Sequence, residues 1–277
     1  MTDLRHGRSR KGQGGAVLPG SGIAGGLILA CGFLAGTIAG SFMALVAARL
    51  PLRRTIVGGR SQCDTCGRIL GPLELVPIAS FLALRGRCRG CSAAIPASTW
   101  VMELLAGIVG LLAVLLARTP ADLVWAVFGW LLLLLAALDL RHYWLPQRLT
   151  ALLAFTGIVA LFITRGDVAA SLAGGAAGFL GLEAVRIGYR LLRGREGIGG
   201  GDPLLLGGIG VWMGWQALPF VLIVGSLAGF GLIVIWKLRG ADVGPATRLP
   251  LGACLAIAAI AVWAAAARAP IVPLALL

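Results

Sequence analysis

Gly197-Ile198-Gly199-Gly200-Gly201-Asp202-Pro203 lies between an arginine-rich helix end and an apolar run beginning at Leu204. Asp followed by Pro suits a helix start, because the carboxylate can cap free N–H groups and proline fits the first helical position. The glycines packed just before it ask for more than a cap. They let backbone come very close to another group, at an entropic cost that capping alone does not require. The helix they introduce is apolar, which places Asp202 at the edge of a bilayer, where a carboxylate is costly and marks function.

The rest of the chain supplies that bilayer. It has 277 residues, of which 58% are hydrophobic, and a mean hydropathy of +0.93, which excludes an ordinary soluble domain. Apolar runs near 22–47, 100–117, 121–140, 148–164, 168–190, 203–217, 218–236 and 250–267 read as transmembrane helices. The expected fold is therefore an all-α polytopic membrane protein of about eight spans. The division between 203–217 and 218–236 rests on Gln216 and Pro219 alone. The 42 glycines and many alanines suit close helix packing in lipid, where water drives no core together. Residues 1–20 read as a flexible basic tail, and the run from Gly22 to Ala48 is too long for the core of a cleavable signal.

A net charge of +13 could indicate nucleic acid, but the placement of the charge indicates topology instead. Seventeen of the 24 basic residues follow the first, third and seventh runs or flank the glycine stretch. By the positive-inside rule that face is cytoplasmic. Nucleic acid is not an expected partner; the lipid bilayer is.

Residues 49–99 form the one sizeable polar segment. They contain Cys63-Asp64-Thr65-Cys66 and Cys88-Arg89-Gly90-Cys91, two CxxC pairs separated by 21 residues. Four thiolates at this spacing can surround a tetrahedral Zn²⁺, and a cytoplasmic setting disfavours disulfides. A redox pair or idle thiols is the alternative. A structural metal would supply folding energy to a loop with little core of its own. Cys31 and Cys254 lie in apolar helices and read as small hydrophobes.

Of seven aspartates, Asp139 and Asp202 directly adjoin apolar membrane runs on the cytoplasmic side, whereas Asp242 sits in a short polar loop. Asp139 closes its helix at the end whose dipole disfavours an anion. Arg141 and Arg148 are near enough in sequence to pair with it. His6 and His142 are the chain's two histidines, so imidazole chemistry is poorly supplied. Two carboxylates brought together cannot both ionise easily, so one keeps a proton. The ionised member can take a proton from an attacking water while its partner polarises the carbonyl, which is aspartic proteolysis. Gly199, Gly200 and Gly201 would let an extended substrate backbone approach Asp202. Glu103 opens the second membrane helix and could pair with an arginine or help a site; Glu183 stands three residues before Arg186, as an intrahelical pair does.

These residues resemble the type IV prepilin peptidases, or leader peptidase/N-methyltransferases. The resemblance runs from about Gly40 to Leu218. It includes Gly40-Ser41-Phe42 with Arg49-Leu50-Pro51, both CxxC pairs, the stretch Leu84 to Cys91, and Asp139 with Leu145-Pro146 and Leu149-Thr150. Glu196-Gly197, Gly199 to Asp202 and Gly210 to Trp215 follow. Gln147, Leu204-Leu205 and the segment Leu249 to Ala253 depart from the family pattern. The resemblance implies a multi-pass inner-membrane enzyme with Asp139 and Asp202 as catalytic residues at the cytoplasmic side. Such an enzyme cuts prepilins and pseudopilins of pilus or secretion systems after a leader glycine. It then methylates the new amine with S-adenosylmethionine. The expected division is a tail at 1–20, a first membrane helix at 21–48, a zinc-binding loop at 49–99 and a peptidase core at 100–277. An ion-coupled transporter or a non-catalytic secretion scaffold is the competing reading. The transporter expects ionisable groups near the midplane and an internal repeat. The scaffold leaves the glycine-flanked Asp202 without a reason.

Overall fold

The computed structural model describes residues 23–55, 60–242, 244 and 247–268. The tail expected at 1–20 lies outside them. Among the described residues the chain forms nine α-helices and no extended strand. They are α1 (Ile23–Arg49), α2 (Ala79–Ala83), α3 (Ala97–Leu116), α4 (Trp125–His142), α5 (Gln147–Thr164), α6 (Val168–Arg193), α7 (Asp202–Met213), α8 (Leu218–Leu238) and α9 (Leu251–Ala266).

All eight apolar runs form helices, but among the described residues six helices are long and apolar enough to cross a membrane, which corrects the expected count of eight spans. The exceptions are α7, with 12 residues, and α9, with 16. At 1.5 Å per residue they reach roughly 18 and 24 Å, short of a hydrocarbon core about 30 Å thick. The physical reasons lie at their ends. α7 starts only after Gly201, its cap residue, and Gly214 ends it with φ +75°. Pro250 holds the residue before α9 out of the helix. The break between the sixth and seventh runs falls at Gly214, while Pro219 occupies the first turn of α8, where its missing N–H costs nothing.

Two packing units make up the bundle. In the first, α1 lies against α3 through Gly32, Gly36 and Gly40, spaced four apart. A Cβ on Gly36 would stand 2.2 Å from the Ala106 carbonyl oxygen, so the backbones touch. Met43, Val46, Met102, Ala106, Leu134 and Leu138 then join this pair to α4. In the second, α4, α5, α7 and α9 surround a buried core containing Phe128, Leu132, Leu153, Leu205 and Ile209. Trp125, Phe128, Trp212 and Trp263 form its aromatic end, with ring centroids 5.2 to 6.5 Å apart. Trp212 donates its indole N–H to the Leu153 carbonyl at 2.8 Å, so this wide side chain is also polar-satisfied.

Glycine contacts between α6 and α7 fix the depth of Asp202. Gly174 faces the Gly210 carbonyl and Gly178 faces the Leu206 carbonyl, so the antiparallel register sets Asp202 level with about Leu182. From there α6 continues to Arg193, roughly 16 Å further at the helical rise. The connecting loop returns along the same helix: Glu196 lies 3.9 Å from Arg186, and Gly197 packs against the Tyr189 ring. Arg186 also pairs with Glu183 at 2.6 Å, the intrahelical pair expected from the spacing.

Candidate active site

Asp139 lies in the last turn of α4 and Asp202 is the first residue of α7; each is 6% exposed. Neither makes an ion pair among the described residues. Arg141 and Arg148 are exposed, and the arginine pairing considered for Asp139 is not among the ion pairs of the described residues. Asp139 instead reaches the opposite kind of helix end: its Oδ2 accepts the backbone N–H of Ala253 at 2.8 Å, in the first turn of α9. That end carries the positive pole, which offsets the unfavourable dipole of α4.

Asp202 is not the cap of α7. Gly201 occupies the cap position, and the Asp202 carboxylate folds back to accept the Gly199 N–H at 3.0 Å. The Asp202 N–H in turn donates to the Gly199 carbonyl at 3.2 Å, which fastens the glycine loop to the helix start.

Gly252 brings the two carboxylates to one place. A Cβ built on it would lie 3.1 Å from Asp139 Oδ2 and 3.1 Å from Asp202 Oδ1. The two oxygens are therefore no further apart than twice that distance. Leu145, buried in the turn after α4, is the wedge beside them: its Cβ is 2.6 Å from the Cβ position of Gly201, and its Cδ1 is 2.6 Å from that of Gly252. The glycines singled out from the sequence thus separate by role. Gly199 donates to Asp202, Gly201 admits Leu145, and Gly200 has open space on the side where a Cβ would project. Gly252, Ala253 and Leu145 are the residues near the dyad that the sequence did not assign to it. Pro250 with Gly252 at a helix start was the available cue, but nothing local ties that helix to Asp139.

The four cysteines converge separately. Their Sγ atoms all lie within 4.8 Å of one another, with Cys63 and Cys91 at 3.8 Å. A tetrahedral thiolate site with Zn–S of about 2.3 Å has edges of about 3.8 Å, so the cluster fits zinc. The two halves repeat each other. Cys63 N–H bonds to Arg68 O and Gly67 N–H to Cys63 O, as Cys88 N–H bonds to Ala93 O and Ser92 N–H to Cys88 O. Gly67 and Ser92 both take positive φ, turning the chain after each pair. Backbone N–H groups of Cys66 and then Thr65 point at the Cys63 sulfur and hold its pKa down at about 6, which favours the thiolate that binds metal. Arg68 crosses from one half to the other, lying over Gly90 and donating from its Nη2 to the Glu74 carboxylate. Glu74 also accepts the Gly71 N–H at 2.8 Å.

Glu103 links this loop to the bundle. It is buried at 6% exposure on α3, and its carboxylate accepts the Ile78 N–H at 2.7 Å. Ile78 has φ +60°, a conformation a β-branched residue rarely adopts, so the anchor holds a strained turn. No arginine partners Glu103 among the described ion pairs.

Comparison with known proteins bears on the chain as a whole. Residues 34–117 match the bacterial peptidase A24 N-terminal domain, and residues 126–234 match the type IV leader peptidase family. A prepilin leader peptidase/N-methyltransferase of Burkholderia pseudomallei (strain 1026b) is 36% identical over 261 residues, covering 83% of this chain and 83% of that protein. One from Pseudomonas aeruginosa is 33% identical over 257 residues, covering 82% of this chain and 87% of its own length. One from Aeromonas salmonicida (strain A449) is 37% identical over 214 residues, covering 74% and 71%. No solved structure matches the chain. With both domains matched in order along a multi-pass helical bundle, the chain belongs to the prepilin leader peptidase/N-methyltransferases of the type IV leader peptidase family.

Proposed function

We propose that Asp139 and Asp202 are the catalytic dyad with which this peptidase cuts prepilins. The enzyme removes the leader peptide and N-methylates the new N-terminus. The observation that carries the dyad is the convergence of two buried carboxylates, from α4 and α7, on the same face of Gly252. Two buried carboxylates drawn to one place do not both ionise easily, so one keeps its proton. The ionised carboxylate takes a proton from water as the water oxygen attacks the scissile carbonyl carbon. The protonated carboxyl hydrogen-bonds the carbonyl oxygen and, as the C–N bond breaks, a proton passes to the leaving nitrogen. Water is thereby divided between the new carboxylate and the new amine. Substrate backbone approaches along Gly199 to Gly201, with Gly200 supplying the open side.

The same reading places the site at the cytoplasmic face of the inner membrane, because the arginines that flank the glycine loop and follow α1 and α4 mark that side. It divides the chain into a tail at 1–20, a first membrane helix at 21–48, a zinc-binding loop at 49–99 and a peptidase core at 100–277. Cys63, Cys66, Cys88 and Cys91 would hold one Zn²⁺, whose part is to fold the loop. S-adenosylmethionine would supply the methyl group. The glycines at 197–201 follow a helix rather than a strand, so they do not form a nucleotide loop for it. Prepilins, pseudopilins and the bilayer are the partners. The transporter and scaffold readings are not favoured by the family to which the chain belongs.

Incubation of the purified enzyme with a prepilin and S-adenosylmethionine, read by mass spectrometry, tests the proposal. Wild-type protein should yield a trimmed and methylated pilin. Asp139→Asn and Asp202→Asn, folded and at equal amount, should each leave the leader attached. Normal trimming by either variant would sink the dyad.

A further inference from the structure

We infer that the N-terminus of α9 is a third component of the active site, and that the missing side chain of Gly252 reserves the position of the attacking water. This rests on the dyad reading above. The Cβ position of Gly252 lies 3.1 Å from an oxygen of each aspartate. That is hydrogen-bonding distance for a water held by both carboxylates. Any other residue at 252 would put carbon where that water must sit. The next residue fixes the geometry from the other side, since the Ala253 N–H holds Asp139 Oδ2 at 2.8 Å. This N–H lies in the first turn of α9, where helix amides have no partner within the helix, so orienting Asp139 takes nothing from the helix.

Packing against Leu145 is one demand on the glycine, and the two carboxylates are a second. Close contact between α8 and α9 is served by Gly225, whose Cβ position is 3.2 Å from Leu255 Cδ2, the end of a flexible side chain. Gly252 meets Leu145 Cδ1 at 2.6 Å, but it also meets the two carboxylates, which belong to the reacting groups. Gly252 is thus a positioning residue for water, and Ala253 is one for Asp139.

Steady-state cleavage of a prepilin by four variants tests the inference. Gly252→Ala should lower kcat by at least about 100-fold, the order expected when a reacting group is displaced by about 1 Å, while KM stays near the wild-type value. Gly252→Ala combined with Leu145→Ala removes the Leu145 contact and should stay as slow. Gly225→Ala, which presses on α9 away from the dyad, should keep wild-type kcat. Asp202→Asn, run in parallel, should be inactive. A wild-type kcat for Gly252→Ala, or its full recovery in the Leu145→Ala double variant, overturns the inference. Should Gly252→Ala fail to fold, the double variant, relieved of its worst contact, decides the matter by the same kcat. Activity in Asp202→Asn would instead overturn the dyad, so the two failures are distinguishable.

Discussion

The Asp139 carboxylate takes a hydrogen bond from the Ala253 backbone N–H at 2.8 Å, joining residues 114 positions apart. It turns an aspartate at the wrong end of one helix into an acceptor at the right end of another. The N-termini of the short helices α7 and α9 meet at Gly252, and Asp202 lies level with about Leu182, well short of the end of α6.

The dyad should respond to substitution differently from other acidic residues on the same side. Asp242 is exposed in a polar loop. Asp242→Asn should keep cleavage within about threefold of wild type, as surface changes usually do, while either dyad variant loses it by several orders of magnitude. Prepilin should still co-purify with the dyad variants, since its apolar helix remains held by membrane helices. Loss of cleavage in all three would point to a general need for negative charge.

Within the glycine loop, neighbouring substitutions should fail in different ways. Gly201→Ala places a Cβ 2.6 Å from that of Leu145, which backbone alone could relieve, and should lower thermal stability in detergent. Gly200→Ala meets nothing within 4 Å and should leave stability unchanged. Its methyl narrows the substrate side, so KM should rise by about tenfold, the order of one methylene's discrimination. An unchanged KM for Gly200→Ala would remove Gly200 from the substrate path.

Purified protein should carry about one zinc per chain, the stoichiometry of a four-thiolate site, as read by elemental analysis. Cys63→Ser or Cys88→Ser should lower the content, and chelation should make residues 49–99 protease-sensitive while the bundle persists. A metal-free preparation with a protected loop would contradict a structural role.

Glu103 should matter to the loop rather than to the bundle. Glu103→Ala leaves the Ile78 N–H without its acceptor, at a cost of about 1–3 kcal/mol. Limited proteolysis should then cut residues 49–99 faster, and Glu103→Gln, which keeps an acceptor oxygen, should restore much of the protection. Equal protection in the alanine variant would show that the anchor is dispensable.

Glu74 gives the loop a pH dependence with a defined sign. The Gly71 N–H and the Arg68 guanidinium hold its carboxyl below the usual carboxylate range. A lowered folded-state pKa stabilises above the unfolded value of about 4 and is lost as pH falls through the lowered one. Proteolytic protection of wild type over Glu74→Gln should therefore be present at neutral pH and shrink in acid. A gap that widens in acid would reverse the assignment.

Much of this protein could be read from its residues because the forces concerned are local. Hydropathy over one segment marks a membrane helix. The two CxxC pairs bring their own turn geometry, so Cys63, Cys66, Cys88 and Cys91 could be grouped before any fold was known. Asp139 and Asp202 stand out, as candidates, because carboxylates beside apolar runs are costly anywhere in a chain. Span number was not legible from hydropathy, which reports polarity and not where Gly214 or Pro250 bounds a helix. Gly252, Ala253 and Leu145 were not legible either. Their nearness to the two aspartates depends on α9 packing against α4 and α7, and a contact between residues 139 and 253 leaves no periodicity in either segment. Only when the helices close around their shared core does a glycine in α9 come to stand between two aspartates from α4 and α7.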